Sequence, residues 1–167
     1  MALVIEDGTG ENPDAESYLS VSEADTLIDS FNFSDSWSTL TTAEKESFLK
    51  QGTITFDELM RWEGGLLNPD IQPLAWPRDG VTDNEGRDVK GLTGLLKRSV
   101  AQLTAAISEG KTQKEPIFLE SQSWGDSSET YSKPIKVEDS IFSEVSLRLK
   151  RAKYGNSSSS IVNIERA

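Results

Sequence analysis

The stretch GLTGLLKRSVAQLTAAISEG, residues 91–110, decides the fold class. Leu92, Leu95, Leu96, Val100, Leu103 and Ile107 recur at alternating spacings of three and four, which places them along one side of an α-helix. The spacing predicts a helix from about Lys90 to Ser108, with Gly110 as its stop. One apolar stripe needs other elements to cover it, and the flanking sequence supplies them. Ser20-Val-Ser-Glu23 and Thr41-Thr-Ala-Glu44 each have the capping-box form, in which side chain and backbone satisfy the free amides of a helix start. The first predicted helix runs from about Ser22 to Phe31, with Ala24, Leu27, Ile28 and Phe31 on one face. The second carries Phe48, Leu49, Phe56, Leu59 and Met60, while Gly52 and the β-branched Thr53, Ile54 and Thr55 weaken its middle.

Downstream, a last helix is expected from about Asp139 to Lys153, with Ile141, Phe142, Val145, Leu149 and Ala152 sharing a face. The competing reading takes Val145, Leu147 and Leu149 as a strand alternation. Between the last two helices, Pro116–Leu119 and Tyr131–Lys136 flank the polar turn SQSWGDSSE and read as a hairpin around 111–136. At the N-terminus, Leu3, Val4 and Ile5 form a short strand ahead of the turn-rich DGTGENPD. The fold class is therefore mainly α: a small bundle of about four helices with a short β-hairpin or strand element and an extended C-terminal tail. One domain is expected over 1–154, then a flexible Ser-rich linker and tail over 155–167. The tail residues Ile161, Val162, Asn163, Ile164, Glu165 and Arg166 suit strand addition to a partner.

Composition narrows the function. With 167 residues and a 35% hydrophobic share, the chain builds one core. No run approaches the roughly 18 apolar residues of a membrane span, and MALVIEDGTG lacks the basic-then-apolar order of a signal peptide. The chain has no cysteine and no histidine, which removes thiolate chemistry, Ser-His-Asp and Cys-His arrangements, and histidine-bearing metal sites. Only carboxylate or lysine chemistry stays open, and the adjacent Asp57 and Glu58 diverge on a helix. DGTG at 7–10 lacks the lysine of a phosphate cradle, so no catalytic activity and no cofactor are expected. The net charge of −11 is polarised: residues 1–70 hold 15 acids and 3 bases, whereas the remainder is nearly balanced. Such an acidic first half repels phosphate.

The densest segment is LAWPRDGVTDNEGRDVKG, residues 74–91. Asp83-Asn84-Glu85-Gly86-Arg87-Asp88 resembles part of a calcium loop, but no glutamate closes it and Arg87 sits among the supposed ligands. An Asx- and Gly-driven turn explains it more simply. Trp76 and Pro77, with Trp62, read as loop anchors, while Arg78 and Asp79 are placed to reach a neighbour. Lys97 and Arg98 lie opposite the Leu stripe and read as solvated. A basic cluster of Arg148, Lys150, Arg151 and Lys153 ends in Tyr154. It fits a DNA-facing surface, a helix C-terminus complementing its dipole, or a patch that pairs with the acidic half of an adjacent subunit.

The order of these features resembles the head–tail connector (adaptor, or head-completion) family of tailed bacteriophages, some members of which go under the description DnaT-like single-stranded-DNA-binding protein. The resemblance spans nearly the whole chain. It rests most specifically on the DG-x-G…A-x-SY-x-SV-x-EAD opening (residues 7–25) and the AWPR-x-GV loop (residues 75–81), supported by FDELMRW at 56–62. It implies a structural protein of the virion neck, made in the host cytoplasm. Such a subunit forms a ring of roughly twelve copies beneath the portal protein and meets downstream neck, stopper or tail proteins. Genomic double-stranded DNA would pass through without specific recognition, and the C-terminal tail would dock on the portal. The alternative it carries is a DnaT-like replication accessory protein that binds single-stranded DNA.

Overall fold

The computed structural model describes residues 3–111 and 141–157. Four helices dominate: α1 (Val21–Phe31), α2 (Thr42–Glu58), α3 (Gly94–Ser108) and α4 (Ile141–Arg151), with a 3-10 turn at Trp37–Thr39 between the first two. Four short strands complete the described elements. β1 (Met60–Trp62) pairs antiparallel with β4 (Gly155–Ser157), and β2 (Gly65–Leu66) pairs antiparallel with β3 (Arg78–Asp79). The mainly α class expected from the sequence is therefore the observed one.

Both capping boxes form as the sequence dictates. Ser20 and Thr41 accept from the backbone N–H of Glu23 and Glu44, whose carboxylates accept in return from the cap backbone. α3 begins later than the periodicity predicts, because Thr93 caps it by accepting from Leu96 N. Gly91 just ahead has φ +62, which is incompatible with a helical turn there. Leu96 and every residue from Ser99 to Ala106 are buried, so α3 is the central helix of the fold, with Lys97 and Arg98 left toward the surface.

α2 runs through its weak middle without a break, and the reason is packing. Gly52 is buried where α2 meets α3, and a Cβ there would collide with the Thr104 side chain. The glycine costs helix propensity but lets the two helices approach. Leu59 and Met60, assigned to the α2 stripe from sequence, are buried beyond the helix end, as its C-cap and as the first residue of β1. Phe31 also departs from expectation. Ala24 and Ile28 are buried, but Phe31 is 44% exposed at the end of α1, where Asn32 turns left-handed with φ 49.

In α4, Phe142, Val145 and Leu149 are buried and Leu147 is 48% exposed, which excludes the strand alternation. Gly155–Ser157, expected as flexible linker, is strand β4, because Gly155 admits the close approach of the Arg61 carbonyl. The hairpin expected around 111–136, apart from Lys111, and the tail residues Ile161 to Arg166 lie outside the described residues. The N-terminal Leu3–Ile5 strand is reduced to a single parallel bridge, Ile5 with Ser17, reinforced by Glu6 N donating to Ser17 O at 2.8 Å and Glu16 N donating to Val4 O at 2.8 Å.

Candidate functional surface

The long 62–89 connection is anchored from within. Trp76 is fully buried and Pro77 is buried beside it, joined by a cis peptide bond. Trp76 sits in a continuous row of rings: Tyr18 against Phe56 at 5.6 Å, Phe56 against Trp62 at 4.7 Å, Trp62 against Trp76 at 5.7 Å, and Trp76 against Tyr154 at 5.6 Å. The row ties the N-terminal segment, α2, β1, the loop and the end of α4 into one body. Each such pair contributes on the order of 1 kcal/mol beyond its buried area.

A polar hub runs alongside the rings. Tyr18 Oη donates to Asp57 Oδ1 at 2.6 Å and accepts from Trp76 N at 2.9 Å, while Ala75 N donates to Asp57 Oδ2 at 3.0 Å. Burial pushes the Asp57 carboxyl up to about 6, against the opposing pull of the Tyr18 and Ala75 hydrogen bonds. Burial likewise raises the Tyr18 phenol, with the Asp57 charge adding to it. Gln72 closes the loop by donating to the Leu74 and Pro77 carbonyls at 2.7 and 2.9 Å. Sequence reasoning missed this hub, since Asp57 carries no local signature and its partners lie 18 and 39 residues away.

Arg78, expected to reach a neighbour, is spent on its own chain. Nε donates to Glu63 O at 2.6 Å, Nη2 to Gly64 O at 2.7 Å and Nη1 to Ala75 O at 3.1 Å. Asp79 follows it, exposed in β3. In the 83–88 turn, Asp83 accepts from Glu85 N and Arg87 N at 2.9 Å each and pairs with the Arg87 guanidinium at 2.8 Å. These bonds hold the Asp83 carboxyl below its usual range, and the Arg87 contacts lead. Among the described residues, no three Asp or Glu side chains gather as a metal site would require.

The basic cluster does not act as one patch. Arg148 turns onto α3, donating to Gln102 Oε1 at 3.0 Å, and pairs with Glu144 one helical turn back. Lys150 and Lys153 instead line an open groove of about 290 Å³ together with Glu63, Gly80, Thr82 and Gly155. Arg151 is exposed, and its carbonyl accepts from Asn84 Nδ2. Lys97, expected to be solvated, pairs with Glu23 at 2.7 Å. Arg98 lies 4.5 Å over the Phe31 ring, which stacks on Phe33 at 5.4 Å.

The molecule is thus a small, mainly α domain whose conspicuous aromatic and polar loop residues are committed to holding its own chain together. Its chain belongs to the family described as "Putative DnaT-like ssDNA binding protein", whose model matches residues 1–162. No curated protein and no solved structure matches it.

Proposed function

We propose that this chain is a head–tail adaptor of a tailed bacteriophage: a non-enzymatic subunit of the virion neck that repeats as a closed ring against the portal protein. The ring, of about twelve copies, gives the genome a conduit and presents its far face to downstream neck or tail proteins. The reading rests on the sequence resemblance, and one structural observation carries it. A single-strand binder needs exposed rings along a positive track. Here five rings form the internal row from Tyr18 to Tyr154, and the basic cluster reduces to two lysines in one groove and an isolated Arg151. With a net charge of −11 and this arrangement of the described residues, weak DNA affinity is expected, and weak affinity suits a conduit.

The tail beyond β4, residues 158–167, is the proposed portal-docking segment. Electron microscopy of the purified protein mixed with portal tests the reading, and rings seated on the portal are expected. Removing 158–167 leaves β4 intact and should abolish docking without unfolding the domain. A truncated chain that still docks removes the tail from this role, and absence of any portal complex with the full chain removes the adaptor reading.

The family description favours a second reading, binding of single-stranded DNA. The observation that fits it is the exposed Phe31 stacked on Phe33 beneath Arg98. Anisotropy of a labelled oligonucleotide separates the two. Submicromolar, salt-sensitive binding by the isolated chain supports the second reading and displaces the first.

A further inference from the structure

We propose that the groove between the α4–β4 junction and the 78–82 segment is a receptor for an acidic side chain of a second copy of this chain. The inference rests on the ring reading and assigns the subunit contact within it. The groove presents Lys150 and Lys153 on one side and Gly80 and Thr82 on the other, in a volume of about 290 Å³. Both lysines are exposed, and neither has an acidic partner among the described residues.

Complementing the helix dipole accounts for cations in the last turn of α4, but it does not account for Lys153. That residue lies past the helix in a left-handed conformation with φ 62. There Lys153 N donates to Lys150 O at 3.0 Å and Tyr154 N to Leu149 O at 3.1 Å. Glycine is the favoured residue at such a helix exit, because it carries no Cβ to strain the backbone. A lysine at this position costs backbone free energy and places an ammonium group at the groove.

The groove is also preformed. Glu63 N donates to Tyr154 O at 3.1 Å, Asn84 Nδ2 donates to Arg151 O, and Gly155 is in register with Trp62 across β1 and β4. Its walls therefore come from three segments bonded to one another.

Charge selects the occupant. Glu63 in the wall places a negative charge beside the lysines, which opposes an extended phosphodiester track, so the groove suits a single carboxylate better. The chain supplies carboxylates in excess: Glu11, Asp14, Asp29, Asp35, Glu58 and Asp70 are exposed and without a cation partner among the described residues. A head-to-tail contact in which each copy offers an acid to the groove of the next is the heterologous kind that closes into a ring.

The test uses neck assemblies on portal built from equal amounts of unlabelled and nitrogen-15-labelled chain. A zero-length carbodiimide joins amines only to carboxylates in contact. Peptide pairs of mixed label joining Lys150 or Lys153 to an acid in residues 1–70 are expected. Cross-links from these lysines only to portal, or none in assembled rings, overturn this inference and leave the adaptor function standing. Failure of any ring to form removes both. The Lys150→Glu/Lys153→Glu variant should lower ring occupancy on the order of tenfold with an unchanged melting temperature. Unchanged occupancy overturns the inference. So does a variant that keeps the ring but loses oligonucleotide binding, since the groove is then a phosphodiester site.

Discussion

Tyr18→Phe is the sharpest probe of how the domain is held together. The ring stays and its edge contact with Phe56 is preserved, so only the hydroxyl is lost. Two hydrogen bonds go with it: the one accepted from Trp76 N at 2.9 Å and the one donated to Asp57 at 2.6 Å. A buried N–H left without an acceptor costs about 1–3 kcal/mol, and a bond to an ionised group contributes about 1.5–3 kcal/mol. The expected loss near pH 7.5 is therefore roughly 3–5 kcal/mol. The pH dependence has a definite sign. The Asp57 carboxyl titrates at about 6 in the folded chain, above its ordinary 3.8, so the folded state holds the proton more tightly. Its contribution to stability is full below about pH 3.8 and is lost as pH rises through about 6, on the order of 3 kcal/mol. Removing the Tyr18 hydroxyl removes a bond that favours the ionised form. The substitution should therefore cost roughly 1–1.5 kcal/mol more near pH 7.5 than near pH 5, where the bond is to a neutral acid. Asp7, Glu16, Glu44 and Asp83 are held below their usual range by hydrogen bonds, but they are common to both proteins and cancel in the difference. Urea denaturation of both proteins at the two pH values is the assay. A cost under about 1 kcal/mol at either pH, or the same cost at both, refutes the hub.

Gly52→Ala should destabilise the domain by about 2–3 kcal/mol by forcing α2 off α3, and adding Thr104→Ala should restore about 1–2 kcal/mol. Additive losses in thermal melts would show that the two positions do not meet. Arg78→Lys should cost about 2 kcal/mol, because an ammonium cannot reproduce the fork that serves the Glu63, Gly64 and Ala75 carbonyls. A melting temperature within about a degree of the parent counts against it. Phe31→Ala with Arg98→Ala should cost only about 1 kcal/mol, since the Phe31 ring is exposed. Oligonucleotide anisotropy should not change, and a lost signal would locate a base-stacking site at Phe31.

The helices were legible because their signals are local. Each capping box spans four residues, and the Leu stripe of α3 repeats within two turns. The four strands were not, because each is two or three residues long and pairs with a partner distant in sequence, as Met60 does with Ser157. Gly52 looked like a flaw in α2, since propensity is read one helix at a time and the compensating Thr104 sits on another. Trp76 and Pro77 were recognisable as buried anchors from residue type, whereas Asp57 became visible only when the fold brought Tyr18 and Ala75 to it. The basic cluster shows the same limit. Arg148, Lys150 and Arg151 point in different directions on α4 and Lys153 lies past its end, so only geometry separates Arg148 from Lys150 and Lys153.

The two motifs that carry the family resemblance are, in space, one object. Tyr18 of the opening motif accepts from the backbone of Trp76 in the AWPR loop. Glu6 folds the DGTG turn by accepting from Gly8 N at 2.8 Å and Gly10 N at 2.9 Å. Asn68 donates to Thr9 O at 2.9 Å, and Gly10 packs so close to Gln72 that a Cβ would lie 2.6 Å from its Oε1. Together these residues build the hub that locks a long loop onto a helical core. The two motifs account for how the loop is held, and their geometry by itself names no ligand. What the chain binds must be read from surfaces the hub leaves free. The described residues offer two of opposite implication: the Lys150/Lys153 groove, fitted to a neighbour's carboxylate, and the Phe31/Phe33/Arg98 stack, fitted to a base. Substitutions confined to one or the other leave the hub intact, so a loss of ring formation or of oligonucleotide binding assigns the function directly.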